Sequence, residues 1–152
     1  MQYCEGSLGR LWVLRLEEGD RLPDTIEQFA RDRELLNALV FYLGGAGDGS
    51  RLVVGPEAGR GDRIVPLLHT LTGAQEVLAV GTIFANEANL PVLHLHAAVG
   101  REGAATVGCT RAGVDVWLVG EVVILEISGV EAQRRRQPES GLELLEIGQT
   151  NT

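Results

Sequence analysis

Pro91-Val92-Leu93-His94-Leu95-His96-Ala97-Ala98-Val99, followed by Gly100-Arg101-Glu102-Gly103 and Thr106-Val107-Gly108-Cys109, decides how this chain folds. The two histidines alternate with aliphatic residues at the period of a β-strand. Both imidazoles therefore fall on one face, and Leu93, Leu95, Ala97 and Val99 on the other. Residues two apart on a strand stand roughly 6.5 Å apart, close enough for two rings to converge on one ion. The Gly-Arg-Glu-Gly tetrapeptide reads as a tight hairpin turn. Pairing Gly100 with Gly103 sets His94 opposite Cys109, on a shared face, with Cβ atoms about 5 Å apart. His94, His96 and Cys109 then form a two-nitrogen, one-sulfur cluster on a single hairpin. A one-residue slip would turn Cys109 to the opposite face. The competing reading is a pair of solvent-facing histidines and an ordinary small apolar cysteine. Three donors fall one short of a closed tetrahedral site, which leaves a fourth position for water, a substrate or a ligand from another subunit.

Around this hairpin the chain is mostly strand. Leu8 to Leu16 reads as a first strand with Leu8, Trp12, Leu14 and Leu16 on one face. Glu17-Glu18-Gly19 is a turn, and Asp20 is the expected helix N-cap, with Pro23 in the first turn. Leu22, Ile26, Phe29 and Ala30 recur at helical spacing up to about Arg33, the one convincing amphipathic helix. Strands are then expected at Leu39–Leu43, Arg51–Val54, Ile64–Leu68, Glu76–Phe84, Leu90–Val99, Ala104–Arg111 and Val114–Ile127, with a last one at Leu142–Ile147. Val114–Ile127 is apolar on both faces, which predicts a bend near Gly120 and a fully covered central strand. The glycines from Gly44 to Gly49 do not form a phosphate loop, because Ser50 replaces the last glycine and a strand follows. One helix with seven to eight strands joined by short turns predicts an antiparallel α+β domain, the helix packed on the sheet.

The 152 residues fit a single domain, with its core at about 8–147 between short flexible termini. The formal charge is −8, from 13 basic against 21 acidic residues, which disfavours direct nucleic-acid binding, because phosphate neutralisation dominates that affinity. Arg134-Arg135-Arg136 is the only tight basic cluster, read either as a polar strand edge or as a phosphate contact. The first residues lack the basic and apolar regions of a signal peptide, and no apolar stretch spans a bilayer. Two cysteines make no disulfide framework. A cytoplasmic, reduced protein is expected.

Glu76 and Glu121 each open an apolar strand segment. They are either carboxylates that orient the histidines or serve as a general base, or strand-edge carboxylates paired with arginine. His69 has no ligand partner nearby in sequence. Ser7, Ser50, Ser128 and Ser140 lack the turn that exposes a nucleophilic serine.

Several segments together resemble the PPC (plants and prokaryotes conserved) domain family, whose function is undetermined and whose members include proposed DNA-binding proteins. They are Arg10 to Gly19, the helix ending in Phe29-Ala30, Glu76 to Ile83, Pro91 to His96, Glu121 to Ile124 and Glu139 to Leu145. In order they span about Leu8 to Ile147. The resemblance implies an antiparallel sheet wrapped against one helix and a homotrimer. It also implies metal ligation by a His-x-His strand and a following Gly-Gly-His segment. His94 and His96 match the first two histidines, whereas Cys109 stands in place of the third. Cysteine is itself a ligand for zinc and other divalent transition metals, so the departure alters the softness of the site. Plant members carry an Arg-Gly-Arg hook outside this domain. Gly59-Arg60-Gly61-Asp62 has a different order. Two classes of function follow. One is a trimeric binding or regulatory module, DNA-associated through a partner. The other is a small zinc-dependent enzyme that activates water at the open position.

Overall fold

A computed structural model describes residues 1–57 and 64–148. The Gly59–Asp62 segment lies outside the described residues. In chain order the elements are β1 (Ser7–Glu17), β2 (Arg21–Leu22), α1 (Asp24–Asp32), β3 (Asn37–Ala46), β4 (Arg51–Pro56), β5 (Pro66–Thr70) and β6 (Gln75–Ala85). There follow β7 (Pro91–Arg101), β8 (Ala104–Cys109), a 3-10 turn at Thr110–Ala112, β9 (Val114–Ser128), β10 (Ala132–Arg136) and β11 (Glu143–Ile147). The fold is α+β. Nine strands form one antiparallel sheet in the order β1-β9-β3-β6-β7-β8-β4-β5, with β2 pairing beside β9, and β10–β11 form a separate hairpin. No helix among the described residues is long and apolar enough to cross a membrane.

The inner face of the sheet carries the core. Val122, Tyr42, Ala79 and Ala97 stand in one cross-strand row, and Ile124, Val40 and Leu95 follow on the next. These residues form one buried cluster with Leu22, Ile26, Ala30 and Leu35 from the helix and its flanks. Trp12 meets Phe29 edge-on at 6.0 Å between ring centroids, the favoured geometry of an aromatic pair.

The helix begins later than the sequence suggests. The Asp20 carboxylate accepts the Glu17 N–H at 2.9 Å, closing the turn after β1 instead of capping a helix. Arg21 and Leu22 pair with Asp115 and Val114. Pro23 therefore holds the N-cap position without a side-chain cap. The ladder bonds released to β2 outweigh a marginal extra helical turn.

Strand β9 bends where expected. Its register against β3 shifts between the Gly44–Gly120 and Gly45–Trp117 pairs, and Leu118 takes a positive φ of 59°, as an extra bulged residue requires. Gly120 makes room beneath the Tyr42 ring, since a Cβ there would meet Tyr42 Cε2 at 2.6 Å. The full covering expected for β9 is not found. Only its inner face is packed, because the single helix lies on that side; Trp117 and Leu118 are exposed on the other.

Candidate metal centre

The β7–β8 hairpin turns at Glu102–Gly103, with φ of 54° and 82°. A two-residue turn of this kind needs positive φ at both central positions, which glycine adopts without strain. Centring the turn on Arg101–Glu102, as pairing Gly100 with Gly103 would, places no glycine there. The observed flanking pair is Arg101 with Ala104, and Cys109 therefore stands opposite His96, not His94. The difference in register is two residues. Side chains repeat their face every two residues, so the cluster survives the correction.

His94 and His96 project from the exposed outer face of β7 while Leu93, Leu95, Ala97 and Val99 are buried on the inner face. Their Nε2 atoms lie 3.0 Å apart, with ring planes at 83°. At that separation one ring donates a proton to the lone pair of the other. The chosen donor atoms of His94, His96 and buried Cys109 all lie within 4.8 Å of one another. Donors around one zinc stand roughly 3.3–3.6 Å apart, given Zn–N near 2.0–2.1 Å and Zn–S near 2.3 Å. The three side chains bracket that spacing, and a two-imidazole, one-thiolate set suits a borderline-soft divalent ion. The residues fit such a metal.

The strand beneath the cluster is held firmly. Strand β8 stops pairing at Cys109, which leaves β7 backbone groups needing partners. The Thr110 hydroxyl donates to Leu95 O at 3.2 Å, and the half-buried Glu27 carboxylate of α1 accepts the Leu93 N–H at 2.9 Å. Gly81 on β6 allows close approach from the other side: a Cβ there would clash with the His94 carbonyl oxygen and come within 2.6 Å of Leu95 Cα.

The two carboxylates singled out in the sequence are not part of this cluster. Glu76 pairs with Gly100, four residues along β7 from His96, which is about 13 Å away. Glu121 lies opposite Leu43 on β3 and Arg15 on β1, about 14 Å across three strand spacings from β7. Neither reaches the imidazoles as an orienting group or a base. His69 lies on β5 opposite Leu52, apart from the cluster.

Arg134 is the residue that sequence reasoning misplaced. Expected at a polar edge or on phosphate, it is only 6% exposed. Strand β10 meets the end of β6 through a bridge between Asn86 and Arg134, and Gln133 Nε2 donates to Asn86 O at 2.7 Å. Arg134 Nη2 donates to Thr82 Oγ1 at 3.2 Å, and Thr82 stands directly opposite His94. The guanidinium carbon sits 5.9 Å from the Phe84 ring centroid. Its Nε–H is buried and has no acceptor among the described residues, a deficiency costing about 1–3 kcal/mol or more for a charged donor. Burial pulls the His94 pKa below its ordinary value, and the charges of Arg134, His96 and Arg111 add to that. A neutral imidazole is the form that binds metal. The other two arginines behave as a strand edge: Arg135 faces Glu146 at 3.8 Å, and Arg136 is exposed opposite Glu143. No signal in the triplet itself distinguishes its first member.

An antiparallel sheet wrapped on one helix, with a His-x-His strand on its exposed face, is an α+β domain with a candidate metal centre. The Plants and Prokaryotes Conserved (PCC, or PPC) domain matches residues 3–128, and the chain belongs to that family. Among solved structures, it is similar to a plant- and prokaryote-conserved protein from Pyrococcus horikoshii, with a TM-score of 0.82 and 23% identity over 98% of this chain and 99% of that one. A metal-containing protein from Archaeoglobus fulgidus follows at 0.81 and 22% identity, covering 95% and 98% of the two chains. A protein from Ralstonia eutropha with a provisional DNA-binding description matches at 0.68 and 22%, over 90% of each. No curated protein matches the chain.

Proposed function

We propose that this chain is a single-domain, homotrimeric PPC module that binds a divalent transition metal, zinc by the softness of its donors, at His94, His96 and Cys109. The observation that carries this reading is the convergence of three ligand-type atoms within 4.8 Å on a rigid hairpin. The metal-containing Archaeoglobus relative supports it. Bound there, the ion supplies a cross-link between β7 and β8 and one further coordination position. The imidazoles and the thiol hold it from two adjacent strands, and Thr110 and Glu27 keep β7 in place.

Trimer formation is supported by the outer face of the sheet. Val13, Val123, Phe41, Val80 and His96 form one row across five strands. Leu43 and Leu78 adjoin it, with Leu78 66% exposed. A contiguous apolar face of this kind marks an association surface. Two relatives with provisional DNA-binding descriptions support a role in DNA-associated assemblies. The net charge of −8 argues that a partner provides the basic surface. Glu76 and Glu121 both stand away from the cluster, which favours a binding or sensing role over water activation.

The test is metal analysis of protein purified without chelator or an immobilised-metal step, with zinc supplied. One equivalent per chain is expected; none would leave the histidines as surface groups. The isolated protein should show negligible affinity for random-sequence duplex DNA at physiological salt.

A further inference from the structure

We infer that Glu121 of a second copy of this chain completes the His94, His96 and Cys109 centre, as the ligand at its open coordination position. The inference rests on the trimeric, metal-binding reading above and names the residue that joins its two halves. A ring of three identical chains cannot be built from one patch meeting itself; every contact joins two different patches. The exposed apolar outer face runs from Val13 on β1, through Leu43 and Leu78, to Val107 on β8. One end of that face carries the ligand cluster on β7 and β8. In a ring, that end meets the β1, β9 and β3 end of the next copy.

Those three strands carry no histidine or cysteine, and their acidic residues are Glu17, Asp115, Glu121 and Glu126. Glu126 is held by Arg10, Glu17 by Arg15 and Asp115 by Arg21. Glu121 makes no salt bridge among the described residues, although Arg15 stands directly opposite it. It is exposed beside Leu43 of β3. A second copy laid on this face strips water from the carboxylate, and a buried charge without a partner is costly. The cluster end supplies the opposite charge. A divalent ion held by a single thiolate leaves that end positive, and the charges of Arg134 and Arg111 also bear on His94. Glu143 offsets part of the Arg134 charge, but it is not among the converging donors. A carboxylate is itself a zinc ligand and brings the donor count to four. Within one chain Glu121 is about 14 Å from β7, so the ligand comes from the neighbour.

The test uses the full-length protein and measures zinc affinity by competition with a chromophoric chelator, alongside light scattering. Glu121→Gln should lose zinc affinity at least tenfold, while Glu143→Gln should bind as the unmodified protein does. If Glu121→Gln folds poorly, Glu121→Asp, which keeps the charge on a shorter side chain, should show the same loss. Co-expressing Glu121→Gln chains with His96→Ala chains should restore one tight site per mixed trimer. There an intact cluster meets an intact Glu121, although neither variant has both. Unchanged affinity in the Glu121 variants, or mixed trimers that regain no tight site, overturns the inference and leaves the metal reading intact. Tight zinc binding by an unmodified monomer overturns it together with the trimer reading. Failure of the unmodified protein to bind zinc overturns the metal reading as well.

Discussion

On the inner face of the sheet, Val122, Tyr42, Ala79 and Ala97 form a row that is buried with Ile26 and Ala30 of the helix. One residue further along each strand, Val13, Val123, Phe41, Val80 and His96 form a largely apolar row that no element among the described residues covers. Val13 is 72% exposed there. The inner row stabilises the monomer, whereas the outer row ends at the candidate metal ligands on β7 and β8 and is exposed along the rest. The charged groups of the two faces differ too. Arg10 and Glu126 lie at the margin of the inner face, where β1 bulges against β9, and they are paired: Nε and Nη2 of Arg10 donate to the carboxylate at 2.8 and 2.7 Å, and its backbone N–H at 2.9 Å. Arg134 has an incomplete set. The satisfied pair is structural, and the unsatisfied one sits beside the candidate site.

The largest free-energy effect should come from the inner face. Ile124→Ala, at a fully buried position, should destabilise the protein by about 2–5 kcal/mol in urea unfolding. Val80→Asp, on the outer row, should leave the fold intact and convert a species of three chains to one of 16.3 kDa by light scattering. A Val80→Asp protein that stays trimeric would remove the outer row from the interface.

At the end of that row, His96→Ala should abolish stoichiometric zinc binding, measured by competition with a chromophoric chelator, and His69→Ala should leave it unchanged. Cys109→Ser should weaken binding, and Cys109→His should restore it. Retention of metal by the His94→Ala, His96→Ala double variant would place the site elsewhere. Metal should be released on acidification as protons take the imidazole lone pairs. The depressed His94 pKa holds that ring neutral to lower pH than an ordinary histidine.

The smallest effect concerns the satisfied pair. Hydrogen bonds from the Arg10 side chain and backbone hold the Glu126 carboxyl down to about 2, against an ordinary 4.5. A depressed carboxyl pKa stabilises the fold above the unfolded value. That contribution is therefore full above about pH 4.5 and is lost as pH falls toward 2. Glu126→Gln should flatten this part of the pH–stability curve, and high salt should shrink the difference.

The strand pattern, the shared face of His94 and His96 and the family were legible in the residues, because side-chain direction in a strand follows from a period of two alone. So was membership of Cys109 in the cluster, which survives an even register error. Its partner was not legible: positive φ at Glu102 and Gly103 chose the turn, and the pairing then fell on His96. Asp20 looked like a cap because a local pattern cannot show that Arg21 and Leu22 have ladder partners at Val114 and Asp115. Glu76 and Glu121 were left between an orienting role and a strand edge, because sequence does not state how many strands separate two segments. Arg134 came into view only with the fold, across 52 positions from Thr82. Local chemistry and alternation are written in neighbouring residues. Which face the helix covers, and which distant arginine is carried beside the candidate metal ligands, depends on packing between elements that no local pattern encodes.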